Sequence, residues 1–254
     1  MKDKEDKDEL SLLNSENSNV ETPLDRWDQQ EEETPPPDPE EMLPLLRATE
    51  PLQRMTAARA FCEIQDDRAI AQLMELLREP CPLIRVSAAY ALGRNLNSEV
   101  VDALIAQLQQ DWNGYVRKGI VWALGNCCAS RVLSPLVHAL KTDISAVRLW
   151  AASSLGQLAP LEYEVVVAAI PALIEGLRKD PTPAVRSNCA WALGQLGREM
   201  PSNVVYAGVI DSLLEALEED EDMGVCEDAK ASLLRVGDPR ALQIIEDLES
   251  DGFL

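Results

Sequence analysis

Two adjacent cysteines, Cys127 and Cys128, are the pair of side chains in this sequence best suited to metal or redox chemistry. Their thiolates would be ligands for zinc or for an iron–sulfur cluster. The other four cysteines are far apart along the chain and no Cys-x-x-Cys motif occurs, so we expect no closed metal site. The pair predicts either small apolar side chains or a thiol site that shares a cluster with a second protein.

Catalysis by a nucleophile and a base would depend on His138, which is the single histidine of the chain. It lies in the apolar phrase Pro-Leu-Val-His-Ala-Leu, where a structural role is the simpler interpretation. Neither a phosphate-binding glycine loop nor a zinc-protease motif is present in the sequence. We therefore expect no catalytic residues and no resident cofactor, while a role as one subunit of an enzyme stays open.

A phrase of the form Val-Arg-x-x-Ala-x-x-Ala-Leu-Gly recurs along the chain. Its arginines stand at positions 54, 85, 117, 148 and 186, and Cys226 takes the arginine position of a sixth copy. An apolar helical pattern precedes each copy, so one repeat contains a helix A followed by a helix B. Self-similarity at spacings of 31–40 residues is typical of a solenoid. We therefore predict an all-α solenoid of about six helix pairs with a capping helix.

Positions in helix B are numbered from the arginine as zero. Apolar residues at −1, +3 and +7 share one face and predict the core, as in Ile84, Ala88 and Leu92. Small residues at +6 allow close helix packing, and the glycine at +8 predicts a left-handed residue that ends the helix. An acidic residue five or six positions before the arginine predicts a ladder of hydrogen bonds between successive turns.

The repeated core Asp…Val-Arg-x-x-Ala-x-x-Ala-Leu-Gly, over about residues 41–250, resembles HEAT-like repeats, in particular those named after phycobilisome lyases. The resemblance implies a right-handed superhelix and a cyanobacterial source. Related proteins include subunits of heterodimeric bilin lyases, which attach or detach a tetrapyrrole at a cysteine of a phycobiliprotein. Another is a partner of an A-type iron–sulfur carrier. A bilin or a shared iron–sulfur cluster is thus a candidate ligand, and a heterodimer a candidate assembly.

In such solenoids the B helices line a concave groove, and positions +2, +5 and +9 face away from the core. Tryptophan, tyrosine and arginine are concentrated at these positions, and these residue types dominate interface energetics. A hydrophobic polypeptide or a flat aromatic ligand would fit there, although the tryptophans would serve equally to wedge neighbouring helices together. The predicted partner-binding groove contains Arg59, Tyr90, Arg94, Trp122, Asn126, Trp150, Gln157, Trp191 and Gln195.

The net charge of −21 is concentrated at the two ends of the chain. Residues 1–41 contain 15 Asp or Glu and 4 Lys or Arg, residues 211–254 contain 14 and 3, and residues 42–210 contain 15 and 16. This distribution argues against a nucleic-acid partner, which would require basic patches, and leaves open a basic partner at either end. Residues 1–40 predict a disordered acidic tail, and residues 41–254 a repeat domain.

The sequence shows no apolar leader and no stretch long enough to cross a membrane, so we expect a cytoplasmic protein. The favoured interpretation is a non-enzymatic scaffold or assembly chaperone that binds a partner protein, with a basic or hydrophobic segment, in its groove. Two alternatives stay open. One is a subunit of a phycobilin lyase, and the other is a partner of an iron–sulfur carrier.

Overall fold

The computed structural model describes residues 37–250, and within them all regular structure is helical. Thirteen α-helices follow one another, and short 3₁₀ turns precede α3 and α7. The helices are α1 (Pro39–Leu45), α2 (Pro51–Ala60), α3 (Ile70–Leu76), α4 (Pro82–Arg94), α5 (Ser98–Gln110), α6 (Gly114–Asn126), α7 (Leu133–Thr142), α8 (Ser145–Gly156), α9 (Tyr163–Lys179), α10 (Pro183–Arg198), α11 (Val204–Glu219), α12 (Met223–Val236) and α13 (Pro239–Ser250).

The helices form six A–B pairs, in which odd-numbered helices are A and even-numbered helices are B, and α13 follows as a single last helix. This is the predicted number of pairs with the predicted final helix. The predicted core positions of helix B are confirmed, because Ile84, Ala88 and Leu92 are at most 1% exposed. Each such leucine or isoleucine contributes about 1.5–3 kcal/mol by leaving water, so the repeats are held together chiefly by apolar contact.

Side-chain caps and prolines define where many of the helices begin. Asn97, Asn113 and Asn203 each accept hydrogen bonds from two backbone N–H groups in the first turn of their helix. Helix α1 begins at Pro39, two residues before the predicted start of the repeats at 41, because Asp38 caps it and proline is tolerated in a first turn. The remainder of the predicted tail lies outside the described residues.

The glycines at position +8 do not end their helices in the left-handed conformation, and this prediction was wrong. Within residues 37–250, positive φ occurs only at Gly237 and Cys128. Gly93 lies instead inside α4, where an added Cβ would come 2.9 Å from the Ala123 Cα of α6. Gly125, Gly156 and Gly194 are pressed in the same way against position +6 of the next B helix. The glycines therefore set the distance between successive B helices.

The predicted ladder is confirmed, and each of its rungs joins two repeats. In a regular rung the arginine guanidinium donates two hydrogen bonds to the carboxylate in the next A–B turn, at 2.6–2.9 Å. A third bond runs from Arg117 Nη1 to the carbonyl of Asp111, which precedes Arg117 in the same repeat. The regular rungs are Arg85–Asp111, Arg117–Asp143, Arg148–Asp180 and Arg186–Asp220.

The ladder ends irregularly at both sides. At its start, Arg54 donates a single bond of 3.0 Å to Glu79, and the buried Arg54 Nε has no hydrogen-bond partner among residues 37–250. At its other end, Cys226 replaces the arginine, and its Sγ lies 3.4 Å from the Asp220 carbonyl oxygen that an arginine would otherwise bind. The regular geometry is therefore confined to the middle repeats, where each turn has a repeat on both sides.

The ladder predicts that the protein loses stability in acid. Burial raises the pKa of Asp111 and Asp180, but hydrogen bonds from arginines and backbone N–H groups outweigh it, so their net pKa is lowered. Their contribution is therefore complete above the unfolded-state pKa of about 4 and is lost as the pH falls through the lower folded-state pKa. We expect the urea midpoint to hold from neutral pH to about pH 5 and to drop below about pH 4. Asp180→Asn should be less stable at neutral pH with a shallower acid drop, and an equally steep drop would contradict the assignment.

Candidate partner-binding surface on the B helices

The predicted groove residues lie in one continuous layer, the B-helix face, formed by positions −2, +2, +5 and +9 of α2, α4, α6, α8, α10 and α12. These positions share a face because they are spaced four, three and four residues apart. Among the predicted residues, Arg59 and Arg94 are exposed, while Tyr90, Trp122, Asn126, Trp150, Gln157, Trp191 and Gln195 are partly buried. The predicted residues thus lie at the surface, and their role in binding stays a prediction.

In the part of this face formed by α4, α6 and α8, aromatic rings alternate with cations. The Tyr90 and Trp122 rings are 5.2 Å apart and inclined by 55°. The Arg94 guanidinium lies 5.9 Å from the Trp122 ring centre, and Lys118 Nζ lies 5.5 Å from that of Trp150. Each of these contacts joins two neighbouring B helices, so we call residues 90, 94, 118, 122 and 150 the cationic–aromatic patch. Lys118 is at position +1, beside the positions that define the face, and its side chain extends over the Trp150 ring.

In the part formed by α8, α10 and α12, polar groups bond to one another. The Trp191 ring packs against Gly156, so that a Cβ added to Gly156 would lie 2.8 Å from the ring. With its amide turned to satisfy both neighbours, Gln195 accepts hydrogen bonds from Trp191 Nε1 at 3.3 Å and from Arg235 at 3.0 Å. Asn188 Oδ1 accepts a bond of 3.1 Å from Ser153. Trp191 therefore both wedges two helices together and contributes to the surface.

Sequence reasoning missed the first turn of the B helices. Leu52, Leu83 and Tyr115, at position −2, are 67%, 63% and 76% exposed. They extend the B-helix face by one turn, as the four-residue spacing from position +2 would have indicated. Trp112, just before α6, is 74% exposed and lies over Arg85 at 5.7 Å. Large apolar side chains are thus exposed along the edge of the same face.

The A helices are linked differently, by exposed ion pairs of long side chains. Lys141 bonds Glu175 at 2.7 Å, and Arg178 bonds Glu215 at 2.6 Å. Between α5 and α7 the equivalent positions hold Gln109 and His138, and a cavity of about 660 Å³ opens there. His138 is exposed, with Nε2 3.3 Å from the Thr142 hydroxyl of its own helix. His138 therefore lies on an A helix and is not part of the B-helix face.

The cysteines do not converge on one site. Within residues 37–250, no group of three or more His, Cys, Asp or Glu side chains is placed to hold a metal ion. Cys127 is partly buried, its Sγ lies 3.2 Å from the Ala123 carbonyl oxygen, and burial raises the pKa of its thiol to about 11. Cys128 is exposed and has a φ of 42°. The shared cluster predicted for the pair stays a prediction, with Cys128 as its accessible member.

These environments predict a clear order of thiol reactivity. At pH 8, Cys128 should react first with iodoacetamide because it is exposed. With a pKa of about 11, Cys127 has about one thiolate in a thousand at that pH, and burial also raises the pKa of the fully buried Cys189. Timed alkylation with peptide mass spectrometry measures the order. Labelling of Cys189 as fast as Cys128 in the native protein would contradict the structure.

None of the helices among residues 37–250 combines the length and the apolar character that crossing a bilayer requires. The chain is similar to the uncharacterized phycocyanin operon protein Z of Pseudanabaena tenuis (strain PCC 7409). The two are 28% identical over 190 residues, which cover 72% of this chain and 86% of that protein. The match therefore spans most of the length of both chains.

Among solved structures, the chain is similar to the complex of CpcE and CpcF of phycocyanin lyase from Nostoc sp. PCC7120. The identity is 25%, the TM-score is 0.54, and the match covers 66% of this chain and 99% of that chain. An engineered protein matches with 26% identity and a TM-score of 0.57, over 79% of this chain and 98% of that chain. A sequence profile described as HEAT repeats matches residues 39–118, 101–169 and 170–252. The chain therefore belongs to the HEAT-repeat family, as its recurring arginine phrase predicted.

Proposed function

We propose that this protein is a non-enzymatic scaffold or assembly chaperone that binds a partner protein through its B-helix face. The observation that carries the proposal is the cationic–aromatic patch, in which Tyr90, Arg94 and Trp122 meet across two helices. Arginine and large aromatic residues supply most of the energy of protein interfaces, and they do so when a partner covers them. On this face they are only partly covered by the chain itself.

The way the repeats are held together also supports this role. The ladder and the contacts of the glycines with position +6 use groups outside the B-helix face, although the Trp122 and Trp191 rings at position +5 also pack against glycines. A stack that is held chiefly by other positions presents the face on a rigid support, and rigid presentation reduces the entropy lost on binding. The face is therefore suited to recognition of a protein partner.

The test is isolation of the native complex by affinity purification, followed by mass spectrometry. The wild-type protein is compared with Trp122→Ala/Trp191→Ala and with Arg178→Ala, a control on the A helices. We expect one set of partners with wild type and control, and loss of that set with the double variant at unchanged helicity. Equal recovery by all three proteins would contradict the proposal. If the double variant unfolds, Tyr115→Ala and Leu83→Ala, whose side chains are mostly exposed, repeat the test.

A second candidate is a subunit of a phycobilin lyase, and the similarity to the CpcE and CpcF complex of phycocyanin lyase favours it. A subunit of this kind would bind or transfer a bilin together with a second repeat protein. The two functions give different spectra. Co-expression with a bilin, an apo-phycobiliprotein and the co-purified partner should leave the visible absorbance of the phycobiliprotein unchanged for a scaffold, and should increase it for a lyase.

A further inference from the structure

We infer that the B-helix face binds an acidic segment of the partner, in which carboxylates alternate with apolar or aromatic side chains, and that this segment lies on the cationic–aromatic patch. This inference rests on the proposed function and adds the chemistry of the partner to it. It concerns the part of the face formed by α4, α6 and α8. It differs from the basic partner that the net charge of the whole chain suggested.

The first argument is the state of the cations on this part of the face. Arg94 and Lys118 form no ion pair with another residue of 37–250, whereas the arginines of the ladder are all paired with carboxylates. In a chain with 44 acidic and 23 basic residues, unpaired cations gathered on one surface are unexpected. A carboxylate of a binding partner would supply the ion pairs that these cations lack.

The second argument is the position of the cations relative to the rings. Arg94 and Lys118 lie over the faces of Trp122 and Trp150, at 5.9 Å and 5.5 Å from the ring centres. These contacts restrict the long side chains before binding, so less entropy is lost when a carboxylate arrives. The ring edges between the cations offer apolar contact. The patch therefore matches a chain in which acidic and apolar groups alternate.

The third argument is the contrast with the other half of the face. There Arg235 donates to Gln195, Ser153 donates to Asn188, and the exposed Asp228 lies at position +2 of α12. Its polar groups are satisfied within the protein, and its carboxylate would repel an acidic segment. Charge complementarity therefore confines the segment to the part of the face formed by α4, α6 and α8.

Phosphate groups would also meet these cations, but a nucleic acid carries a negative charge at every phosphate and would be repelled by the chain's net charge of −21. Only two cations, Arg94 and Lys118, lie in this part of the face, whereas nucleic-acid binding draws on several phosphate contacts at once. A short acidic polypeptide needs fewer contacts and gains more from the rings. We therefore favour a polypeptide, and the experiment includes an oligonucleotide.

The test uses the full chain and fluorescein-labelled peptides of about twelve residues. One peptide alternates Glu with Phe and Ala, and matched peptides carry Gln or Lys in place of Glu. A single-stranded oligothymidine of similar length is the fourth probe. Binding is measured by fluorescence anisotropy at about 0.15 M salt, where interactions between exposed charges more than about 8 Å apart are largely screened. We expect the Glu peptide to bind at least about tenfold more tightly than the others. Equal binding of the Gln peptide, or tighter binding of the Lys peptide or of the oligonucleotide, would overturn the inference.

Two double variants with the same net charge locate the binding. Arg94→Glu/Lys118→Glu should abolish the preference for the Glu peptide. Arg78→Glu/Lys179→Glu changes two exposed cations outside the B-helix face that also form no ion pair within residues 37–250, and it should preserve the preference. Equal loss in both pairs would overturn the inference, because it would show an effect of total charge.

The same variants separate this inference from the proposed function. If Arg94→Glu/Lys118→Glu still isolates the native partner while Trp122→Ala/Trp191→Ala does not, the partner binds the face without using these cations. The proposed function would then stand and the inference would fall. If neither pair affects recovery of the partner, the proposed function itself fails.

Discussion

We expect Arg85→Ala to lower the free energy of unfolding by about 3–5 kcal/mol, because it leaves the Asp111 carboxylate buried without its counter-ion. The Arg85 and Asp111 side chains are only 6% and 1% exposed. Asp111 keeps hydrogen bonds from Gln107 and from the Asn113 N–H, which are too few to replace the guanidinium. Urea unfolding followed by circular dichroism measures the loss.

The matched control is Arg178→Ala, which removes an arginine from the ion pair with Glu215. Both partners of that pair are more than 40% exposed, so its loss should cost at most about 1 kcal/mol. Similar losses of unfolding free energy in the two variants would contradict the larger stabilisation assigned to the buried Arg85–Asp111 pair. Because repeat arrays unfold in parts, the comparison uses the transition of the middle repeats.

We expect Gly93→Ala and Gly208→Ala to change stability in opposite directions. A Cβ on Gly93 would lie 2.6 Å from the Trp122 ring and 2.9 Å from the Ala123 backbone, whereas a Cβ on Gly208 would meet no atom of residues 37–250 within 4 Å. Overpacking should therefore cost about 1–3 kcal/mol at Gly93. Gly208 lies within α11, where alanine is the better helix former, and should gain about 0.5–1 kcal/mol.

The same pair of variants bears on function, because Gly93 also supports Trp122. Displacement of the ring would separate it from Arg94 and disturb the cationic–aromatic patch, so Gly93→Ala should weaken partner binding while Gly208→Ala leaves it unchanged. Thermal unfolding and partner recovery are measured on both proteins. Stabilisation by Gly93→Ala would contradict the close approach of α4 and α6.

The fold was largely readable from the sequence, because it repeats. Six copies in register separated the positions that pack from those that vary, and Ile84, Ala88 and Leu92 lie in the core as that register predicted. The pairing of arginine with acid was also predictable, since both types recur at fixed spacing. The spacing of the repeats does not show how closely adjacent repeats pack against each other.

The role of the glycines shows this limit. A glycine near the end of a helical pattern is often a left-handed cap, and that local rule was applied to Gly93 and its equivalents. In the folded chain a neighbouring helix occupies the space that a Cβ would need, and these contacts lie between residues 29 to 38 positions apart. The exposed Tyr115 was missed for a different reason, because the surface was predicted from the middle of helix B only.

The candidate surface was identified by residue type, but its charge pattern required the structure. The role proposed for Arg94 and Lys118 depends on the tryptophan rings that they cover and on the absence of ion pairs to them within residues 37–250. Neither fact follows from the spacing of the repeats in the sequence. In the same way, the bonds among Trp191, Gln195 and Arg235 distinguish the two halves of the face. The sequence predicted which positions form the surface, and the contacts of Arg94 and Lys118 are the basis of the proposal that an acidic segment binds there.

Site-specific photo-crosslinking tests the central claim, that the B-helix face contacts the partner, most directly. A benzophenone amino acid replaces Tyr115 on the B-helix face or, as a matched exposed tyrosine on an A helix, Tyr163. After illumination of the native complex, we predict a covalent adduct with the partner from position 115 and none from position 163. Adducts from position 163 alone would contradict the account, because the partner would then contact the A helices.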